Sequence, residues 1–395
     1  MARRADRALI AGGGIGGLAA AVALGRRGIE TELLERSQFT EETGAGIQLG
    51  PNATRALRRL GVLDAIEPHS FRPEALVVYD GLSGRRLTSL PLGKVAETRY
   101  GAPYLTLHRA DLHAGLRAVA LSHASVTLTP GFELAAIDLS DGAVIARAAD
   151  GAEAKGASLI GADGLWSTVR ALVSPTARLH FAGATAWRTR LPRGKLPAPF
   201  DDPVVGLWLG PSAHLVHYPV RGGEDLNVVA VTDGGTERQG WSHKDGAEPL
   251  RAGFTRWAKE SKSLLEAAGG WRSWSLYRLT ALRRWSDGPI VLLGDAVHPV
   301  LPFLAQGAAL AIEDAVTLAA CLANRPRDAR AAFHRYEALR RPRAARVQNL
   351  SRRYGRLYHL NGPLRVARNL LLERRREAQA LRRFDWLYRQ DGEQA

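Results

Sequence analysis

The chain has 395 residues, 46% of them apolar and 24% charged, with a formal net charge of +15 and one cysteine. That length and apolar fraction support a large core in two interleaved lobes and exclude a disordered chain. The lone Cys321 excludes an internal disulfide and a thiolate zinc cluster, which suits a reducing cytoplasm. The opening MARRADRALIAGGG has a basic start, but its apolar stretch breaks at glycines too soon for a signal-peptide core. No uninterrupted run of about eighteen apolar residues predicts a membrane span.

The charge is unevenly placed. From Ala331 onward, 16 arginines face 6 acids, so +10 of the total lies in that tail. No zinc knuckle or basic-aromatic strand pattern accompanies it, and an arginine-rich solvated helix surface is expected rather than a nucleic-acid site. Attraction of an anionic substrate or an anionic lipid surface is the alternative. A homodimer or monomer without membrane insertion is the expected assembly.

In chain order, Ala8, Leu9 and Ile10 predict a short buried strand. Gly12, Gly14 and Gly17 then supply G-x-G-x-x-G as a helix opens through Leu18, Ala19, Ala20, Val22 and Leu24. Gly12 allows the tight bend, Gly14 lets backbone reach a pyrophosphate at the helix amino terminus, and Gly17 lets helix and strand pack closely. Ile15, inside the motif, joins the expected cofactor contacts. A second strand, Glu30 to Leu34, ends at Glu35, where a carboxylate can accept hydrogen bonds from a ribose; Arg36 follows it. Strand, glycines, helix, strand and acid in that order predict a dinucleotide site.

That turn serves NAD and FAD alike. The chain then departs from regular strand-helix alternation: GAGIQLGPNATRALRRLG (44–61) runs into a helix starting near Pro51, and SLIGADGLWSTVR (158–170) is a strand ending at Asp163 with a helix opening at Ser167. The last joint, GDAVHPVLPFLAQGAALAIEDA (294–315), follows the apolar PIVLL. Three strand ends offering glycine or aspartate to one extended ligand suit FAD better than NAD. Between them, roughly 179–279, VVGLWLG, AHLVHYPV and LNVVAVTD read as an antiparallel sheet. His214 and Tyr218, four apart, lie on one side of such a strand. No three His or carboxylate residues have metal-ligand spacing, so no metal is expected, and no second fingerprint exists for a nicotinamide.

The trio GGGIGG (12–17), GADG (161–164) and GDAVHPVLPFLAQGAALAIEDA resembles the flavoprotein aromatic hydroxylases, single-component monooxygenases of the para-hydroxybenzoate hydroxylase type. GAGIQLGPNA (44–53), HRADLH (108–113), AWR (186–188), HLVHYPVRGGEDLN (214–227) and YHLNGPLRVARN (358–369) are similar to the branch with salicylate 1-hydroxylase, 3-hydroxybenzoate 6-hydroxylase and 6-hydroxynicotinate 3-monooxygenase. The resemblance implies an α/β, Rossmann-like FAD-binding fold of the GR2 type, with an inserted, mostly antiparallel sheet lobe for substrate and a C-terminal helical segment. It places the FAD-binding part in 1–75, 101–178 and 280–330, the substrate lobe in 76–100 and 179–279, and the C-terminal helices in 331–395.

By the same resemblance, Asp295 hydrogen-bonds the ribityl chain, Arg109 contacts the phosphates and the flavin face, and Asp163 closes over the adenosine and pyrophosphate region. Pro299 and Pro302 hold the last turn extended, with amide donors withheld beside the ring. The helix from Gly307, with Ala308, points its positive end at the pyrimidine side of the flavin. His298 reads as a packing histidine, and Glu313 and Asp314 as structural pairs. His214 draws the phenolic proton, Tyr218 hydrogen-bonds substrate, and Gln306 orients it. Gln48 touches cofactor and substrate, and stands where the hydroxynicotinate branch has histidine. Tyr104 lines the entrance. NADH, or NADPH, visits transiently, and O2 becomes a flavin C4a-hydroperoxide that attacks a 3-hydroxybenzoate- or salicylate-like ring. A flavin-dependent oxidase or dehydrogenase, a hydroxylase of another ring such as 6-hydroxynicotinate, and a non-enzymatic redox sensor share many of these signals.

Overall fold

The strand Ala8–Ala11 is hydrogen-bonded in parallel on both sides, to Thr31–Glu35 and to Ser158–Gly161. All four of its residues are buried, as expected for a strand covered by helices on both faces. The computed structural model describes residues 7–39, 45–140, 142–196, 198–240, 243–325, 328–375, 380–390 and 392; Gly44 lies outside them. Val126–Pro130 and Ile290–Leu292 extend the parallel sheet at either end, and Ser286–Asp287 adds a short antiparallel edge. The helix Ile15–Gly25 is buried along nearly its whole length, between that sheet and the helix Gly307–Asn324.

The second strand is Thr31–Glu35, one residue later than the sequence predicts, because its ladder with Val126–Pro130 runs through Glu35. The helix after Asp163 opens at Val169, not Ser167. The Asp163 carboxylate accepts from the amides of Thr168 and Val169, so the chain turns before the helix starts.

An eight-stranded sheet forms the other layer. Its strand order is His243–Asp245, Trp271–Leu279, Leu179–Pro192, Asp225–Asp233, Ala213–Val220, Val204–Gly210, Ala75–Asp80 and Arg86–Pro91. Every pairing is antiparallel except that of Val204–Gly210 with Ala75–Asp80. Trp208, Phe200, Phe254 and Trp257 fill the core on one side. The proline-rich turn and the C-terminal helices cover the other.

Two long helices join the layers. Gly307–Asn324 is by length and composition apolar enough to cross a membrane, and 72% of it is buried inside this fold. It packs against the helix Ala329–Tyr358, and the contact is charged: Arg340 bonds Asp314 at 2.7 Å and Glu313 at 2.7 Å, and Arg343 bonds Glu313 through both its Nε and Nη2. The arginine tail is therefore not only a solvated coat. Arg340 is 3% exposed and Arg368 7%, and Arg368 donates to the carbonyls of Leu357 and Tyr358, which a helix end leaves without partners.

Burial alone would raise the Asp314 carboxyl, but His298 and Arg340 outweigh it and hold it down at about 2. A carboxyl with a depressed folded value stabilises the fold above its unfolded value of about 3.9, and that contribution is lost as the pH falls from there toward 2. Urea unfolding across this acid range should show the loss in the parent and not in Asp314→Asn. Arg340→Ala leaves Asp314 without its arginine and Glu313 with Arg343 alone, and should cost about 3–5 kcal/mol at neutral pH; a change below about 1 kcal/mol would show that the network is not stabilising in the way described.

Candidate active site

The glycine turn leaves little freedom. Gly12 has φ +103°, and an added Cβ would lie 2.6 Å from the Ala162 carbonyl oxygen; at Gly17 the corresponding atom would lie 1.9 Å from the Gly12 oxygen. Gly14, by contrast, faces open space, and the helix Ile15–Gly25 begins directly after it with no side-chain cap. Helix amides left without partners at such an end attract anionic oxygen. Glu35 is drawn into the same turn: its Oε2 accepts from the Gly13 amide at 2.5 Å and its Oε1 from the Ser37 amide at 2.9 Å. Arg36 beside it is exposed. His113 Nε2 lies 2.8 Å from the Gly13 carbonyl, a contact that spacing did not suggest.

The second strand end adds Asp163. One of its oxygens caps the helix Val169–Val173, while Oδ1 is buried without a hydrogen-bond partner in the described structure. Burial raises this carboxyl, against the pull of the hydrogen bonds from Ser167 and the following amides. A polar atom so placed calls for a donor from a ligand.

The third strand end is the joint 294–315. Gly294 takes φ +63°, and Gly294–Ala296 forms a single 3-10 turn that presents Asp295. Burial raises the Asp295 carboxyl, opposed by the positive fields of His298 and Arg109. Arg109 opens the helix Arg109–Leu121, with its amide on the Ala45 carbonyl, so its charge reaches Asp295 from the opposite element. His298 is 2% exposed, and its Nε2 pairs with Asp314 Oδ2 at 2.5 Å.

The proline turn is not extended throughout. It is extended at Leu301, then Pro302–Leu304 winds into a 3-10 turn closed by Ala305 at φ +51°. The φ fixed by proline suits the first position of such a turn. Its carbonyls are held from outside: Pro299 accepts from Gln348, Leu301 from Ser351, and Phe303 from Tyr358, all on the helix Ala329–Tyr358. Gln306 then caps the helix Gly307–Asn324, and Gly307 faces open space.

Across from this turn stands the strand Ala213–Val220. Alternation directs Leu215 into the tryptophan-rich core and His217 against Phe200, whereas Val216 packs on the clusters that Leu304 and Phe303 also join, and His214 packs on Phe303 and Tyr358. Tyr218 is on the His214 side. A Cβ at Gly46 would lie 2.7 Å from the Tyr218 ring, so the glycine is what lets the strand Gly46–Leu49 approach. Gln48 on that strand accepts from Tyr104 at 2.7 Å and also hydrogen-bonds Tyr218. Tyr104 is 5% exposed, so it lies in the interior of the site and not at its entrance.

Gln306 and His214 are each 2% exposed. Asn52, second in the helix Pro51–Arg59, donates to Gln306 Oε1 at 3.0 Å and to Glu313 Oε1 at 2.7 Å, tying the amide to the charged core. Burial pushes the His214 imidazole well below its ordinary value, and the neighbouring His359 adds to the shift. The ring is neutral near pH 7 and has a lone pair to offer. Its Nδ1 lies 2.8 Å from His359 Nε2, and His359 Nδ1 lies 2.6 Å from Asp233 Oδ1. His359 and Asp233 were not apparent from spacing, being 145 and 126 residues from their partners.

These observations fit a flavin dinucleotide. A glycine turn bare at Gly14, an orphaned Asp163 oxygen and a helix start at Gly307 follow the ends of three adjacent parallel strands, Ala8–Ala11, Ser158–Gly161 and Ile290–Leu292.

Comparison with known proteins agrees. The FAD binding domain family model matches residues 6–351. The chain is 36% identical over 382 residues to 3-hydroxybenzoate 6-hydroxylase of Polaromonas naphthalenivorans, covering 96% of this chain and 95% of that one. It is 38% identical over 389 residues to 3-amino-4-hydroxybenzoate 2-monooxygenase of Streptomyces cremeus, covering 98% and 96%. Among solved structures, Klebsiella pneumoniae HpxO complexed with FAD and uric acid superposes with a TM-score of 0.84 at 26% identity, covering 95% of each chain. The strand-end glycines and the relatives thus agree that the chain belongs to the FAD-dependent aromatic monooxygenases, with FAD as its cofactor.

Proposed function

We propose that this monooxygenase hydroxylates a small phenolic aromatic carboxylate of the 3-hydroxybenzoate or salicylate kind, with NADH or NADPH as transient reductant. The observation that carries the reading is the buried, neutral His214 on the sheet face opposite the proline turn. The relatives' substrates are aromatic carboxylates bearing a hydroxyl, and a ring of that class has one proton whose removal makes it electron-rich.

The flavin, when bound, accepts hydride from the nicotinamide and activates O2 for transfer to the ring. The protein's part is to hold and shape both reactants. Gly12, Gly14, Ile15 and Gly17 would bring backbone to the pyrophosphate, Glu35 and Arg36 would flank the adenosine ribose, and Asp163 and Arg109 would hold the phosphates. Asp295 would accept from the ribityl hydroxyls, and the helix start at Gly307 and Ala308 would offer its amides to the electron-rich edge of the ring. Pro302, without an amide proton, would leave that edge uncrowded.

His214 accepts the phenolic proton at Nε2, so the ring carbon meets the oxidant as part of a phenolate. Tyr218 and Gln48 hydrogen-bond the substrate from one wall, with Tyr104 behind Gln48. The Arg188 charge, which reaches Tyr218, gives this wall a positive potential suited to a carboxylate. Gln306, its oxygen engaged by Asn52 and one N–H directed at the Ala305 carbonyl, has a second N–H to offer substrate. Burial of these groups excludes water, which strengthens each interaction.

A panel of hydroxybenzoates and hydroxypyridine carboxylates tests the reading: the expected result is substrate-stimulated NADH oxidation with a hydroxylated product. NADH consumption without such a product would mark an oxidase instead. Asp295→Ala should lower FAD content through loss of a charge-assisted contact of roughly 1.5–3 kcal/mol; full flavin retention after gel filtration refutes the ribityl role.

His214→Ala should keep its FAD and its substrate-stimulated NADH oxidation while hydrogen peroxide replaces hydroxylated product, because the lost proton transfer is worth about 10²–10⁴-fold. A change in KM alone would reassign His214 to binding, and coupling equal to the parent's would make it structural.

A further inference from the structure

Three side chains lead from the sheet face to solvent. His214 is 2% exposed, the His359 side chain 8% and the Asp233 side chain 47%. They are joined by two contacts, 2.8 Å from His214 Nδ1 to His359 Nε2 and 2.6 Å from His359 Nδ1 to Asp233 Oδ1. We propose that His359 and Asp233 form a proton relay that connects His214 to bulk water. This inference rests on the reading of His214 as the group that takes the phenolic proton.

The tautomers follow from the partners. A carboxylate only accepts, so His359 donates from Nδ1 to Asp233. With one proton on each ring, His359 has its lone pair on Nε2 and accepts from His214 Nδ1–H. This leaves His214 Nε2 as an acceptor, the state a base needs before substrate binds. When the phenolic O–H bond breaks, its proton bonds to His214 Nε2, the Nδ1 proton of His214 moves to His359 Nε2, and the Nδ1 proton of His359 leaves by way of Asp233 to water. The ring oxygen keeps the electron pair, and no oxidant or reductant takes part. The reverse sequence returns a proton to the ring oxygen after oxygen transfer and restores the first tautomers.

Such a path answers a difficulty of the buried base. Burial beside Phe303 and Tyr358 disfavours a cation on His214, so a proton stored there would return to the phenolate. Passing it on separates the two charges. The groups around the relay are mixed in sign: the Tyr358 phenol packs on His214, Arg368 bonds the carbonyls at the end of the helix that His359 caps, and Asp233 offsets that positive charge. The geometry of the exit is also held by backbone, with Asp233 N on the Ser212 carbonyl and Ser212 N on the His359 carbonyl. Both residues act through His214 and are positioning residues.

The test uses holoenzyme mixed rapidly with 3-hydroxybenzoate in weakly buffered solution containing phenol red, alongside hydroxylation coupling. The parent should release a proton on binding. Asp233→Asn, at an exposed position that should not disturb folding, and His359→Gln should slow that release at least about tenfold, within the range that positioned proton transfer contributes. Both should lower the fraction of NADH that yields hydroxylated product, and Asp233→Glu should restore release. Parent-like release and coupling in both variants, with the parent active, overturns the relay alone. A parent that hydroxylates none of the phenols overturns the functional reading and the relay with it.

Discussion

The rest of the site depends on one buried charge network. Glu313 and Asp314 on one helix face Arg340 and Arg343 on another, with His298 and Asn52 completing the carboxylates' hydrogen bonds. Taking such charges out of water is expensive, and the mutual attraction repays it only when every lone pair and proton is matched. That requirement is directional. Two apolar helices could slide past each other at little cost, whereas these two have one register in which four charged groups are satisfied. Because His298 belongs to the turn that follows Gly294 and Asn52 reaches Gln306, the register of the helix pair sets the place of both.

The local part of this architecture was legible in the sequence. A strand, a glycine turn and a helix within a short stretch obey short-range rules, and the steric limits at Gly12 and Gly17 are those the motif implies. Alternation likewise put His214 and Tyr218 on one face, since the period of a strand does not depend on what lies beyond it. Boundaries were less legible: Thr31–Glu35 runs one residue further because a neighbouring strand is there to pair with it, and the neighbour is set by topology.

What could not be read are the partners across the fold. Asn52 meets Glu313 over 261 residues of chain, and Arg365 meets Asp80 over 285. An arginine-rich tail has the composition of a solvated surface, and no periodicity distinguishes Arg340, which is buried, from Arg341, which is exposed. The difference arises only once the helix has docked. Tyr104 meets Gln48 over 56 residues of chain, a contact that exists only once the strand Gly46–Leu49 has folded over it.

The long C-terminal helix has a consequence of its own. Gln348, Ser351 and Tyr358, which grip successive carbonyls of the proline turn, differ by three and seven positions, and at about 100° per residue they fall along one narrow stripe. The helix therefore works as a ruler laid against an irregular loop. A ruler tolerates changes of residue on its far side but not a change of length. One inserted residue between Ser351 and Tyr358 would swing the tyrosine, and His359 after it, roughly a quarter turn away from the loop. Evolution of this enzyme is free to recolour that helix and constrained not to resize it.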